Sequence, residues 1–239
     1  MICAAEFPTI PDGKVSALNM KRTMRATRGS KATGGSPVEP YVDLPSGIRT
    51  IVFTGVKGAG KSTLASEVGS DLGLSAINYS DLLLEVTGLE RKDALDQLSD
   101  AERLDAIQRV QQLLEHRWAD DSAVDQLLLL TNHLSVISDG VIWTPDRNVH
   151  ACLRMIALCV VFASPLEILQ RRKNGSTADI AHALSEIDEQ QKVNAIEAHA
   201  VADIYQVPLA LFRNASGAPP KREALAWVTG LLQARRRGR

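Results

Sequence analysis

The stretch Gly55–Ser62, GVKGAGKS, constrains the fold of this chain more than any other segment. It lies between an apolar run, RTIVFT, and a helix-like run, TLASEVGSDL. Glycines at the first and sixth positions let successive backbone N–H groups turn inward around a phosphate. A helix that starts here presents its unpaired N–H groups and the positive end of its dipole to the same anion. The segment therefore predicts a buried strand, a phosphate-binding loop and a helix, in that order.

Three residues at the end of this loop have individual expected roles. Lys61 places a charge on the β- and γ-phosphate oxygens, Ser62 ligates Mg²⁺ through its hydroxyl, and Thr63 faces the α-phosphate. The residues expected to bind the nucleotide within this segment are Gly55, Val56, Lys57, Gly58, Ala59, Gly60, Lys61, Ser62 and Thr63. The expected cofactors are ATP and Mg²⁺, with Ser62 as the metal ligand.

Apolar runs of strand length alternate with helical segments from residue 50 to the end of the chain. Strands are predicted over 50–54, 74–78, 126–131, 155–163 and 208–212, and helices over 61–72, from Ser80, from Ser99, and over 164–172, 178–205 and 219–235. Continuous apolar strands are typical of a parallel sheet covered by helices on both faces. The expected fold class is α/β, a P-loop NTPase with a doubly wound, mainly parallel five-stranded sheet and a short lid.

Two of these helices have recognisable start signals. Ser80 or Asp81 is the expected N-cap of the short helix after the second strand. Ser99 with Glu102 three residues later forms a capping-box pattern at the start of the next helix.

Residues 1–48 differ in composition from the rest of the chain. They are rich in Gly, Pro, Ser and Thr, and so bury too little apolar surface to offset their ordering entropy. We expect a flexible tail there and one P-loop domain over 49–239. Five Lys or Arg residues and no acid occupy 20–31, which favours either a DNA contact or a solvated tail. The net charge of −1 argues against the whole molecule as a nucleic-acid binder.

Composition also predicts the compartment. The longest apolar run, 155–163, is far shorter than the roughly 20 residues that span a bilayer. The three cysteines fit no metal-site spacing and indicate reduced thiols. We expect a cytoplasmic protein, in the host cytoplasm if the chain is viral, with no membrane partner.

Three polar groups outside the loop are candidates for the reaction, since ligands bind where parallel strands end. Asp81, after the second strand, is placed to accept the proton of an acceptor hydroxyl, or only stabilises the start of its helix. His133 follows the third strand, where P-loop proteins often hold Mg²⁺ with an Asp, and either contacts the acceptor or is structural. Arg171 and Arg172 precede the loop-like KNGST. They are expected to stabilise the transferring phosphoryl group, and the alternative is a solvated helix end.

Periodicity adds two further candidates in the long helix. Gln191 and Asn194 interrupt an apolar stripe that is formed by Leu184, Ile187, Ala198, Val201 and Tyr205. Polar groups on a packing face need partners, so these two either bond within the core or reach a ligand.

Several segments together resemble archaeal-type adenylate kinases and related small P-loop kinases, over about residues 49–235. They are TIVFTGVKGAGKSTLASEV, NYSDLLLEV, LSDAERLDAIQRVQQLL, LLLLTNHLSV, LEILQRR and IDEQQKVNAIEAHAVADIYQVPLALFRNASG. The resemblance implies phosphoryl transfer from ATP·Mg²⁺ to a second small acceptor, whose pocket follows the second strand. It also implies that the loop RNASG, with Asn214, holds the adenine base. SDLLLEVTG is in addition similar to the acceptor segment of shikimate-kinase-like enzymes, in which an Asp holds the acceptor hydroxyl.

The chain departs from this family at three positions that usually hold phosphate charge. Thr131 stands where the family has an acid, Ala195 follows Asn194 where the family has an arginine, and GSTADIAHA replaces a segment with lid arginines. These departures disfavour two highly charged nucleotide substrates. They favour an acceptor with a plain hydroxyl.

The expected function is an ATP-dependent kinase that transfers the γ-phosphate to a nucleotide or nucleoside-like acceptor. One alternative is a phage-type DNA kinase that phosphorylates the hydroxymethyl group of 5-hydroxymethyluracil in DNA. Another is a P-loop ATPase or nucleotide-binding switch without an acceptor, and a further one is a degenerate member that only binds ATP.

Overall fold

The computed structural model of the chain describes residues 49–119, 127–138, 141–144, 154–172, 180–216 and 220–237. The strands in these ranges are β1 (Arg49–Thr54), β2 (Ser75–Asn78), β3 (Leu127–Thr131), β4 (Val136–Ser138), β5 (Val141–Trp143), β6 (Met155–Phe162) and β7 (Leu209–Arg213). The helices are α1 (Lys61–Leu72), α2 (Tyr79–Thr87), α3 (Asp100–Ala119), α4 (Pro165–Arg172), α5 (Ile180–Tyr205) and α6 (Lys221–Arg237), with a 3₁₀ helix at Lys92–Gln97. The expected tail, 1–48, and the start of the expected lid, 173–179, lie outside the described residues.

Five strands form one parallel sheet in the order β2-β3-β1-β6-β7. The predicted P-loop NTPase fold with a five-stranded parallel sheet is therefore confirmed. The connection that leaves β1 runs toward β2, whereas the connection that leaves β6 runs toward β7. Because β1 and β6 are neighbours, their carboxyl ends form a topological switch point, where open α/β sheets bind ligands. The loop Gly55–Ser62 follows β1 and lies at this point.

The central strand β1 has a buried face on each side of the sheet. Ile51 and Phe53 pack in one apolar cluster with residues of α1, α4 and α6, and both are fully buried. Val52 points the other way and packs with residues of α2, α3 and α5. Helices cover both faces, which is why the sequence of this strand is continuously apolar.

Two details differ from the sequence-based expectations. A short antiparallel pair, β4 with β5, was not expected from the sequence, and Ile137 pairs with Ile142 in it. The N-cap of α2 is Asn78, not Ser80 or Asp81, because the Asn78 side chain accepts a hydrogen bond from the Ser80 backbone N–H at 3.1 Å. The capping box at Ser99 is confirmed, since Glu102 accepts hydrogen bonds from the backbone and hydroxyl of Ser99.

Among the described residues, no helix combines the length and the apolar character needed to cross a membrane.

Two glycines in helices provide a matched test of this packing. A Cβ on Gly69 of α1 would lie 2.7 Å from the Leu74 carbonyl oxygen, whereas a Cβ on Gly230 of α6 would meet nothing within 4 Å. We expect Gly69→Ala to lower the free energy of unfolding by about 1–3 kcal/mol, because backbone must move. Gly230→Ala should raise it by about 0.5–1 kcal/mol, since alanine favours the helix. Urea denaturation of both variants measures the two effects, and equal destabilisation would contradict this packing.

Candidate functional site

The glycines of the phosphate-binding loop lie against neighbouring backbone and side chains. Gly55 has a φ of 147°, and a Cβ there would lie 2.2 Å from the Val161 carbonyl oxygen of β6. Gly60 has a φ of 93°, and its Cβ would lie 2.0 Å from Asn214 Nδ2. Both positions thus favour glycine for their conformation, and at Gly55 the neighbouring backbone also leaves no space for a side chain.

Lys61 is the buried cation of the site. Its side chain is only 6% exposed, and its ammonium donates a hydrogen bond to the Val56 carbonyl at 3.1 Å. Burial, together with the positive charge of Arg172, lowers the pKa of Lys61 from 10.5 to about 7. The unfolded chain therefore binds more protons between pH 7 and 10.5, and the free energy of unfolding rises with pH across that window.

Two hydroxyl groups, one from the start of α1 and one from the end of β3, lie within hydrogen-bonding distance of each other. Ser62 Oγ and Thr131 Oγ1 are 3.4 Å apart, and Thr131, at the end of β3, is almost fully buried. Hydroxyl oxygens suit a hard cation such as Mg²⁺, so the residues present fit the expected role of Ser62. Thr131 occupies the position where the resemblance implies an acid.

His133 follows β3 at the same edge of the sheet. Burial, and next the positive charge of Lys61, lower the pKa of His133 to about 3, so the imidazole is neutral at pH 7. The backbone of the neighbouring Asn132 donates to the Phe53 carbonyl at 3.0 Å, which extends the pairing of β3 with β1. The loop with His133 is thereby fixed against the strand that carries the phosphate-binding loop.

Arg171 and Arg172, at the end of α4, contact the loop through its backbone carbonyls. Arg172 Nε donates to the Lys57 carbonyl at 2.9 Å, and Arg171 Nη1 has longer contacts of 3.4 and 3.5 Å with the carbonyls of Gly58 and Ala59. The structure thus places both predicted arginines beside the nucleotide site.

Asn214, after β7, also contacts this loop. Its Nδ2 donates to the Ala59 carbonyl at 2.8 Å, and its own carbonyl accepts from Arg171 Nη2 at 3.0 Å. The predicted nucleotide-binding residue therefore lies at the loop, and it contacts the loop with its side chain.

One turn of α5 lies across the ends of β1 and β6. Gln191 Oε1 accepts from the Ala163 backbone N–H at 3.1 Å. Asn194, 1% exposed, accepts from the Thr54 hydroxyl at 3.3 Å, and its Nδ2 has no partner among the described residues. Both predicted residues thus face the sheet edge beside the loop, and the two N–H donors of the Asn194 amide are left for a ligand or a water molecule.

Asp81 lies in the first turn of α2, after the edge strand β2. Its carboxylate pairs with Lys92 at 2.5 Å, and both side chains are more than half exposed. Exposed pairs of this kind contribute little stability, so an acceptor can compete for the carboxylate.

Two residues of the site were missed from the sequence. Gln190, 4% exposed, accepts from Arg172 Nη2 at 3.2 Å. The Glu167 carboxylate accepts hydrogen bonds from the backbone N–H groups of Ser216 and Ser164 and from the Ser164 hydroxyl. These hydrogen bonds, first of all that from the Ser216 backbone, lower the pKa of Glu167 to about 2. The spacing of Ser164 and Glu167 is a capping-box signal that could have identified Glu167 at the start of α4, whereas no local signal indicates the contact with Ser216.

Proton uptake on nucleotide binding tests the environment of Lys61. With a pKa of about 7 in the free protein, Lys61 is mostly neutral at about pH 8.5, and phosphate charge favours its protonated form. We expect uptake of up to about one proton per triphosphate at that pH, and weaker binding as the pH rises further. Calorimetry in two buffers of different ionisation enthalpy measures it. Uptake should vanish in Lys61→Met, and identical heats in both buffers for the natural protein would contradict the expectation.

Comparisons with known proteins agree with this fold and loop. An adenylate kinase from Thermoplasma acidophilum is 26% identical over 176 residues, which cover 71% of this chain and 92% of that protein. The structure of a shikimate kinase from Acinetobacter baumannii, in complex with shikimate, matches with a TM-score of 0.50 at 14% identity, over 78% of this chain and 93% of that one. The sequence profile of the AAA domain family matches residues 54–188, more than half of the chain. The chain therefore belongs to the AAA domain family and has the P-loop NTPase fold.

Proposed function

We propose that this protein is an ATP-dependent kinase that transfers the γ-phosphate from ATP·Mg²⁺ to a hydroxyl group of a nucleotide or nucleoside-like acceptor. The observation that carries the proposal is the buried Lys61 ammonium, enclosed by a glycine loop at the switch point of the sheet. A desolvated cation at this position stabilises phosphate charge far more than a solvated one does.

The residues of the loop have separate tasks in this reaction. Backbone N–H groups of the loop and the N-terminus of α1 bind the β-phosphate, and Lys61 spans the β- and γ-phosphates. Ser62 and Thr131 offer hydroxyl oxygens beside the phosphates, where Mg²⁺ supplies charge neutralisation when the nucleotide is bound. Arg171 and Arg172 add positive charge on the other side of the loop.

The acceptor site is proposed for the polar residues at the same edge of the sheet. Asp81 follows β2, and His133 follows β3, whereas Gln191 and Asn194 approach from α5. His133 is neutral and the amide N–H₂ of Asn194 has no partner among the described residues, so both can hydrogen-bond hydroxyl groups of the acceptor. In this proposal Asp81 accepts the proton of the attacking hydroxyl.

The named relatives support kinase chemistry more than any one acceptor. One is called an adenylate kinase, and the other was solved with shikimate, an alcohol. A nucleotide and a hydroxyl compound therefore both remain in the proposed acceptor class.

Transfer of label from γ-labelled ATP tests the proposal. The panel of acceptors is nucleoside monophosphates, nucleosides, shikimate-like alcohols and DNA that contains 5-hydroxymethyluracil. We expect label in one class of acceptor, and a loss of transfer on the order of 10²–10³-fold in Lys61→Ala, because the phosphoryl charge loses its cation. Lys192→Ala, an exposed lysine on α5 paired with Asp188, is the matched control and should leave transfer unchanged.

The assay also separates the alternatives. Label in DNA alone would identify the polymer as the acceptor. Free phosphate released at the same rate with and without every acceptor would reject the kinase and favour an ATPase.

Asp81 is tested by removing its charge without changing its shape. Asp81→Asn should lower the turnover number for a hydroxyl acceptor by about 10²–10⁴-fold, the usual effect of losing a general base. Glu85→Gln is the matched control, since Glu85 is a partly exposed carboxylate one turn later on α2 and pairs with Arg117. Unchanged turnover in Asp81→Asn would show that Asp81 is not the general base and only pairs with Lys92.

A further inference from the structure

Side chains from outside the loop hold the carbonyl groups of the phosphate-binding loop. Arg172 Nε donates to the Lys57 carbonyl at 2.9 Å, and Asn214 Nδ2 donates to the Ala59 carbonyl at 2.8 Å. Arg171 holds Asn214 in turn, because its Nη2 donates to the Asn214 carbonyl at 3.0 Å. Two peptide groups of the loop are thus fixed by donors that belong to α4 and to the segment after β7.

Fixing these carbonyls also fixes the N–H groups that phosphate needs. A peptide group is planar and trans, so its N–H points away from its carbonyl. The Lys57 carbonyl faces Arg172, and the N–H of Gly58 therefore points away from α4. The Ala59 carbonyl faces Asn214, and the N–H of Gly60 points away from that side chain. Both N–H groups are directed to the opposite side of the loop, as an anion-binding concavity requires.

The packing around the glycines shows how closely these supports approach the loop. A Cβ on Gly58 would lie 3.3 Å from Arg172 Cγ and from Ile168, and a Cβ on Gly60 would overlap Asn214 Nδ2 at 2.0 Å. Arg172 and Asn214 thus approach the loop so closely that side chains at positions 58 and 60 would displace them.

Further hydrogen bonds hold the Arg172 side chain and the segment that carries Asn214. Gln190, 4% exposed, accepts from Arg172 Nη2 at 3.2 Å, which ties the guanidinium to α5. Glu167 of α4 accepts from the Ser216 backbone N–H, two residues after Asn214. Arg172 and Asn214 therefore sit on elements that are joined to each other as well as to the loop.

We propose that Arg172 and Asn214, supported by Arg171 and Gln190, are positioning residues that preorganise the N–H groups of the loop for phosphate. This inference rests on the proposed nucleotide binding and gives these side chains a positioning role in it. These side chains act on the β-phosphate through the backbone, and the γ-phosphate is not their main target. Preorganised donors bind charge without a reorganisation cost at the moment of binding.

Affinities for ADP and ATP distinguish positioning of the loop from direct contact with the γ-phosphate. A direct ligand of the γ-phosphate affects ATP alone, whereas a misplaced loop weakens both nucleotides, because both carry the β-phosphate. We expect Arg172→Gln and Asn214→Asp each to weaken ADP and ATP by a similar factor, roughly 10-fold, in Mg²⁺-containing buffer. Unchanged ADP affinity with weakened ATP affinity would overturn the proposal.

Further variants separate charge and folding from positioning. Arg172→Lys keeps the charge and loses the fork that joins Lys57 to Gln190, so its ADP affinity should stay reduced. Full recovery of ADP affinity in Arg172→Lys would assign the effect to charge and overturn the proposal. Arg222→Gln, at an exposed position of α6, is the matched control and should bind both nucleotides normally.

Hydrogen exchange in the nucleotide-free protein gives a readout that ligand contact cannot move. Amides of the loop should exchange faster in Arg172→Gln, while those of β1 and β3 should stay as protected as in the natural protein. Unchanged loop exchange, or faster exchange throughout the sheet, would overturn the proposal. A natural protein that binds neither nucleotide would instead reject the proposed function, and the positioning role with it.

Discussion

Burial of the Lys61 ammonium is the constraint on which the site depends. A lysine that is almost fully enclosed loses hydration, and its pKa of about 7 reflects that loss. Its hydrogen bond goes to the Val56 carbonyl, and burial and the charge of Arg172 lower its pKa. The residue that ends β3 is Thr131, which brings no negative charge. Under the proposed function, a bound phosphate supplies the negative charge that stabilises this ammonium.

The architecture of the chain could be predicted largely from local patterns. The loop, α1 and the parallel strands follow from glycine spacing and from continuous apolar runs. Each of these signals is contained in a short stretch of sequence, so it can be read without knowledge of the tertiary contacts. The pair β4 and β5 was missed, since strands of three residues carry no usable periodicity. The N-cap of α2 was misplaced by two or three residues, because Asn78 is both the last residue of β2 and the N-cap of α2. The sequence pattern indicated only its place in the strand.

The candidate site could be predicted as a set of residues and not as a set of contacts. Asp81 and His133 were expected at the sheet edge from their places after strands. Arg171 was expected beside the transferring phosphoryl group, and Asn194 either within the core or at a ligand. That Arg172 bonds to Lys57, 115 positions away in the sequence, follows only from the way α4 packs on the loop. Glu167 illustrates the same limit, because its capping role is local and its bond to Ser216 is not.

The sheet order places different residues of the candidate site on the two sides of β1. Arg172 and Asn214, whose side chains bond to loop carbonyls, belong to α4 and to the segment after β7, on the β6–β7 side. Asp81 and His133 follow β2 and β3, on the other side. Under the proposed function, Asp81 can therefore change together with the acceptor while the two supports of the loop carbonyls stay in place, because the two sets of side chains belong to opposite sides of β1.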